Sequence, residues 1–144
     1  MSAPSPWLPP PDPGDIVWCR FPELESPGPG PKPRPALVIT VSDPPDDTDT
    51  PYRVRVIYAT SRLRGAPPPP AFDIETATLG FAASGLDRTT RFDFRQAVVL
   101  NYDTLYFQAR PTRPGQPKAT SPVMGKLHDS LLPIVKRAHD AAQR

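Results

Sequence analysis

The stretch that decides the fold begins with GDIVWCRF at residues 14–21 and continues with KPRPALVIT at residues 32–40. Half of the positions of the first run are β-branched or aromatic, which favours a half-buried strand. The second run is continuously apolar at residues 36–39 and has prolines before it, as expected for a short buried strand. The segment between them is too rich in Pro and Gly to join a ladder. The sequence therefore predicts two neighbouring strands and a connecting loop.

Short strand-like runs recur along the rest of the chain. The pattern predicts further strands at residues 52–60, 71–74, 91–94, 97–100 and 122–127. A helix is predicted to begin at Asp129 as its cap, because apolar residues follow at helical spacing. We therefore expect a mainly β (α+β) fold, with a small, strongly bent antiparallel sheet or barrel and a helix packed on it.

Proline is unusually abundant, at 24 of 144 residues. Residues 1–13 hold six of these prolines and show no periodicity, so we predict an extended Pro-rich leader there. A chain of this length fits one domain, and residues 14–144 are predicted to form it.

Charge and cysteine content exclude several classes of function. The net charge of +2 is too small to argue nucleic-acid binding by itself. Cys19 is the single cysteine, which excludes an internal disulfide and a cysteine-based zinc site. No apolar run approaches the ~18 residues of a membrane span, and the start of the chain lacks the pattern of a signal peptide. A cytoplasmic protein without a membrane partner is therefore predicted.

The residues that could do chemistry lie at strand ends. Arg34 stands where the Pro/Gly loop enters the second strand, and Thr60 and Ser61 stand at the end of the third. Arg91 and Asp93 are two residues apart in a strand, so they share a face. The sequence contains no glycine-rich phosphate loop, nucleophile elbow or zinc motif. This set lacks a strong nucleophile of its own.

Such a set fits a reaction whose nucleophile belongs to the substrate. RNA supplies a 2′-hydroxyl, and its cleavage needs a base, an acid and cationic stabilisation of the transition state. Asp93 would be the base, Arg91 and Arg34 the stabilisers, and Thr60 a hydrogen-bond donor. The alternative, which spacing alone favours, is that Arg91 and Asp93 form an ordinary same-face salt bridge worth ~0–1 kcal/mol.

The motifs resemble those of a known family in the order in which they occur. Gly14–Trp18, a Pro/Gly loop and Arg34–Ile39 look like the opening of the MazF/PemK (Kid) toxins of type II toxin–antitoxin systems. Ala59–Ser61 is similar to their second-strand hydroxyl motif, and Arg91–Asp93 falls where the PemK branch carries Arg-x-Asp. Met124–Leu127 before a final helix is similar to their closing element.

The resemblance implies an SH3-like barrel that forms a homodimer and cleaves single-stranded RNA at short sequences. It implies no metal and no cofactor, and a cognate antitoxin that covers the RNA groove. Arg34 and Thr60 match the catalytic arginine and threonine of the family, and Arg91 and Asp93 match the PemK acid and base. The flanking residues implied for binding of the substrate phosphates are Lys32, Ser61 and Arg62.

Two further interpretations remain open at this point. One is a non-catalytic binding module on the same barrel, either a degenerate toxin or a relative of the gyrase-inhibiting toxins of this fold. The other is a plain RNA-binding domain whose Pro-rich leader recruits another protein.

Overall fold

The computed structural model describes residues 8–22, 28–43, 52–111, 114–115 and 117–143. Its strands are β1 (Asp15–Cys19), β2 (Arg34–Ser42), β3 (Arg53–Thr60), β4 (Ala71–Ile74), β5 (Thr90–Asn101) and β6 (Val123–Lys126). They form one curled antiparallel sheet in the order β4-β5-β3-β2-β1-β6. The predicted mainly β fold, with an antiparallel sheet and a C-terminal helix, is confirmed.

The C-terminal helix α2 (Leu132–Ala142) follows a single 3₁₀ turn at Asp129–Leu131. Asp129, the predicted cap, caps neither element. His128 caps the 3₁₀ turn, where its side chain accepts a hydrogen bond from the backbone N–H of Ser130 at 3.1 Å, and Leu131 is the N-cap of α2 without a side-chain hydrogen bond. An imidazole nitrogen satisfies the free amide here as a carboxylate would. Within the described part of the chain, no helix is long and apolar enough to cross a membrane.

Successive side chains along each strand point to opposite faces of the sheet, and apolar side chains form a core on each face. Ile16 packs with the residues under helix α2, whereas the next residue, Val17, packs on the opposite face. The helix-side core contains Ile16, Leu37, Ile57, Ala59, Phe72, Ile74, Leu86, Phe92, Leu131 and Ala138. The opposite core contains Val17, Cys19, Ala36, Val38, Val54, Val56, Leu100, Tyr102 and Phe107. Apolar residues on both faces explain why β2 reads as a continuous apolar run.

Strand β5 joins the two strands predicted at residues 91–94 and 97–100 into one. Ala97 of β5 pairs with Ile57 of β3, whereas the next residue of β3, Tyr58, pairs with Asp93 of β5. The intervening residues, 94–96, have no partner on β3 and form a bulge. A bulge keeps the strand continuous and re-aims the side chains that it contains, which here include Arg95.

A short helix, α1 (Phe81–Ser84), lies in a segment for which the sequence pattern predicts no element. It ends at Gly85, whose φ of 72° favours glycine. A side chain at Gly85 would also clash with the backbone of Met124, and one at Gly125 would clash with Ser84. Two glycines thus allow α1 to pack directly on β6.

The predicted leader lies partly outside the described residues, which begin at Leu8. The backbone N–H of Leu8 donates to the carbonyl of Tyr102 at 3.2 Å, and its side chain packs against the core on that side of the sheet. The last part of the segment therefore contacts the folded domain.

Candidate functional site

A groove of about 590 Å³ opens at the end of the sheet where β2 begins and β3 ends. We call it the first groove. Five of the seven site residues predicted from sequence line it: Lys32, Arg34, Thr60, Ser61 and Arg62. The wall opposite them is built from the segment after α1 and from the chain that leads to β6, and includes Leu86, Asp87, Arg88, Arg110 and Met124.

Strand register explains why Arg34 and Thr60 lie together. Ala36 pairs with Tyr58, and the same register extended by two residues brings Arg34 opposite Thr60. On its other side Arg34 pairs with Cys19 of β1. Both positions are the last ladder residues at this end of the sheet, so their side chains stand at the mouth of the groove on rigid backbone.

The loops that leave these strands are held close to the sheet. The hydroxyl of Thr60 accepts a hydrogen bond from the backbone N–H of Arg62 at 3.1 Å, which turns the chain immediately after β3. Before β2, the backbone N–H of Gly30 donates to the carbonyl of Arg20 at 3.2 Å, and a side chain at Gly30 would clash with Phe21. This close approach fixes the chain that carries Lys32.

Positive charge dominates the first groove. The side chains of Lys32, Arg34 and Arg62 form no hydrogen bond or ion pair with any residue that the structure describes. Among the described residues of the lining, Asp87 is the carboxylate, and it lies 3.2 Å from the Nε of Arg88 and 3.5 Å from a guanidinium nitrogen of Arg110. The cations on one wall, which no described residue pairs, suit an anion of the size of a phosphate.

A second groove, of about 650 Å³, lies on the other side of Lys32 and Arg34, which line both grooves. Its remaining walls come from the end of β1, from β3 and from the bulge of β5. They include Phe21, Tyr58, Arg95, Gln96, Ala97 and Val98. We call the shared pair, Lys32 and Arg34, the cationic ridge.

Arg91 lines neither groove, because other parts of the protein bind its guanidinium. It lies opposite Asp73 in the β4–β5 ladder and donates to both carboxylate oxygens, at 2.7 and 3.1 Å. It also donates to the carbonyls of Arg64 at 3.2 Å and Gly65 at 2.7 Å. The hydrogen bond to Asp73 raises the pKa of Arg91. Arg91 therefore holds the loop between β3 and β4, which begins with Ser61 and Arg62.

Asp93 also lines neither groove, and its carboxylate is bound by Arg95. Arg95 donates from its backbone N–H at 2.9 Å to one oxygen and from its guanidinium at 2.9 Å to the other. Only about 12% of the Asp93 side chain is exposed, against 57% for Arg95. The hydrogen bond to Asp93 raises the pKa of Arg95. The salt bridge expected between Arg91 and Asp93 is thus replaced by two separate pairs.

Sequence reasoning missed Asp73, Arg95 and the two rings of the second groove. The pairing of Asp73 with Arg91 depends on strand register, for which the sequence carries no local signal. The pairing of Asp93 with Arg95 had a signal, since charged residues alternate with aromatic ones from Arg91 to Arg95. Among the described residues, no group of three or more His, Cys, Asp or Glu side chains is placed to hold a metal ion.

No protein-family model matches the chain, and no curated protein matches it. The functional conclusion therefore depends on the two grooves and on the motif resemblance.

Proposed function

We propose that the protein is a metal-independent endoribonuclease that cleaves single-stranded RNA. The observation that carries the proposal is a cluster of three cations on the first groove, Lys32, Arg34 and Arg62, which have no partner within the described part of the chain. The Thr60 hydroxyl lines the same groove. Cations that a protein does not pair internally are suited to phosphates, and a chain of phosphates can follow both grooves across the cationic ridge.

The reaction needs no nucleophile from the protein. The 2′-oxygen of RNA attacks the adjacent phosphorus, its proton passes to a base, and the bond from phosphorus to the 5′-oxygen breaks. The products are a 2′,3′-cyclic phosphate and a 5′-hydroxyl, whose oxygen takes its proton from solvent water. Arg34 would stabilise the charge that develops on the phosphorus oxygens, and Thr60 would donate a hydrogen bond there.

Asp93 is the base in this proposal, and Arg95 controls its availability. The Arg95 guanidinium donates to both carboxylate oxygens of Asp93, and the Arg95 backbone N–H donates to one of them, Oδ1. When the guanidinium moves away, the other oxygen, Oδ2, becomes free to act as the base. Arg95 is more than half exposed, and an exposed ion pair is weak because solvent screens it, so an incoming phosphate can compete for its guanidinium. Arg91 acts in the proposal through the β3–β4 loop, as a positioning residue and not as the acid.

The biological setting is proposed from the motif resemblance. It is that of the toxin in a type II toxin–antitoxin module: an SH3-like barrel that works as a cytoplasmic homodimer and is inhibited by a cognate antitoxin over the RNA groove.

The test is incubation of the purified protein with a long single-stranded RNA in EDTA, beside the variants Arg34→Ala and Asp93→Asn. Discrete fragments with cyclic phosphate ends are expected from the wild type. Each variant should cut at least about 100-fold more slowly, since removal of a general base or of an anion-stabilising group costs this much. Lys136→Ala, a cation on the exposed face of α2, is the matched control and should cut normally. Intact RNA from folded wild-type protein would contradict the proposal.

A non-catalytic single-strand binding module is the second candidate. Its supporting observation is that the two residues matched to the family's acid and base, Arg91 and Asp93, both have their polar atoms bound within the protein. In that case RNA would bind in EDTA and stay intact, and Arg34→Ala would weaken binding.

A further inference from the structure

The second groove combines aromatic rings with cations and an amide. Phe21 and Tyr58 line it as an edge-to-face pair, with ring centroids 5.5 Å apart and planes at 69°. Both rings are only half-buried, and Phe21 also packs against the core that contains Cys19. Ala97 and Val98 add apolar surface between the rings and the β5 bulge. This lining suits a flat, partly apolar ligand group.

The polar groups of the groove suit a nucleobase in particular. Gln96 is exposed in the β5 bulge, and its amide carries both a donor and an acceptor, as the edge of a base does. Arg95 also lines this groove, and more than half of its side chain is exposed. The flat guanidinium of an exposed arginine is a surface on which a base can stack.

The position of the groove connects it to the phosphate site. Lys32 and Arg34 line both grooves, so a phosphate held at the cationic ridge has the second groove directly beside it. In a single strand, the base next to that phosphate is free to turn out of the stack. A base paired in a duplex would have to leave its partner first, which costs energy.

We propose that the second groove is a nucleobase pocket that receives the base adjacent to the phosphate on the cationic ridge. Phe21 and Tyr58 supply the stacking surface, and Gln96 contacts the edge of the base. The inference deepens the proposed function and depends on it, because it assigns a subsite for single-stranded RNA. It adds a contribution to affinity that comes from the base and not from the charge of the strand.

The experiment compares two fluorescein-labelled 2′-O-methyl strands of equal length, about ten nucleotides, by fluorescence anisotropy in EDTA. One strand has a mixed sequence and the other is abasic throughout, so the two carry the same phosphates. The methyl groups block cleavage, so the titration measures binding alone. Wild type, Tyr58→Leu, Tyr58→Phe, Phe21→Leu and Arg34→Ala are titrated with both strands.

Tyr58→Leu should weaken binding of the base-bearing strand about tenfold, which is the usual loss for one stacked base, and leave the abasic strand unchanged. Tyr58→Phe keeps the ring and should bind as the wild type does. Arg34→Ala should weaken both strands alike. Tyr52→Leu replaces another half-buried tyrosine near the opposite end of β3, and it should change neither affinity.

The outcomes separate the inference from the proposed function. If Tyr58→Leu and Phe21→Leu weaken both strands equally or neither, while Arg34→Ala weakens both, the nucleobase pocket is wrong and the phosphate site stands. If the wild type binds neither strand, both proposals are wrong. A wild type that binds the two strands equally well overturns the pocket without any variant, so the result does not depend on whether Tyr58→Leu folds.

Discussion

Two groups of cations lie at the same end of the sheet and differ in what they contact. Arg91 and Arg95, on β5, are each bound to a carboxylate within the protein. Lys32, Arg34 and Arg62 project from the ends of β2 and β3 and have no partner among the described residues. The difference separates motif cations that serve the fold from motif cations for which the described fold provides no partner, and we propose a ligand for the second group.

A second contrast lies within the bound group. The side chains of Arg91 and Asp73 are 11% and 12% exposed, whereas that of Arg95 is 57% exposed. Arg91 also binds two loop carbonyls, whereas the described residues offer the Arg95 guanidinium no hydrogen-bond partner other than Asp93. The first pair therefore belongs to the architecture, and the second is the pair that we propose to open when a phosphate binds.

We call Arg91 with Asp73 the inner pair and Arg95 with Asp93 the outer pair. The largest effect should come from removal of the inner pair. Arg91→Ala leaves the Asp73 carboxylate buried without its partner and releases the carbonyls of Arg64 and Gly65. We expect the free energy of unfolding to fall by about 3 kcal/mol, measured by urea denaturation. Arg95→Ala, the matched change on the same strand, should lower it far less, because the Arg95 guanidinium is 57% exposed and Asp93 keeps the hydrogen bond from the backbone N–H of residue 95.

Trypsin gives a second readout of the same pair. Arg62 and Arg64 lie in the loop that Arg91 binds, so Arg91→Ala should speed cleavage there under conditions in which Arg95→Ala does not. Equal losses of stability in the two variants would contradict the distinction between inner and outer pairs.

Cys19 extends the comparison to a buried neutral group, since it lies opposite Arg34 on β1 and is fully buried. Burial raises the pKa of its thiol, so the folded protein keeps the proton after the unfolded chain has lost it. Its contribution to stability is complete below about pH 8.5 and is lost as the pH rises above that value.

The free energy of unfolding should therefore fall by up to about 1.4 kcal/mol per pH unit above that point, measured with a reductant present. Cys19→Ala should remove this part of the slope, whatever it does to stability at neutral pH. An unchanged slope would show that the thiol is not the group responsible.

The smallest effects should come from single unpaired cations. When a cation that binds one phosphate of a single strand is removed, the slope of log K against log salt becomes shallower by about 0.7. Lys32→Ala and Arg62→Ala should each reduce the slope by about this amount in binding to a 2′-O-methyl strand. Lys136→Ala should not change it. A slope unaffected by the first two variants would remove them from the phosphate path.

The sequence could predict the strands because their apolar patterns are local. Residues 34–40 and 53–60 form strands as expected. The terminal helix α2 begins at Leu132, about one turn after its predicted start at Asp129. The short helix α1 could not be predicted in this way, because its packing on β6 depends on Gly85 and Gly125, which are 40 residues apart. The single length of β5 depends on a bulge that only the register with β3 defines.

The site was predictable to the extent that it lies at strand ends. Arg34 and Thr60 meet because β2 and β3 are neighbours, which two consecutive strand signals suggest. The partners of Arg91 and Asp93 were not predictable in the same way. Asp73 comes from a strand 18 residues earlier, and the bulge turns Arg95 back onto Asp93. Such pairings depend on the register between strands that are distant in the sequence. The order of the motifs along the chain does not determine that register.

The most direct test of the account is an NMR titration that follows the arginine Nε–H groups while a 2′-O-methyl strand is added. Arg→Lys variants assign the signals. We expect those of Arg34 and Arg62 to move, while that of Arg91 stays in place because Asp73 already binds it. Movement of the Arg91 signal with Arg34 and Arg62 unchanged would contradict the account, and so would a spectrum that does not respond to the strand.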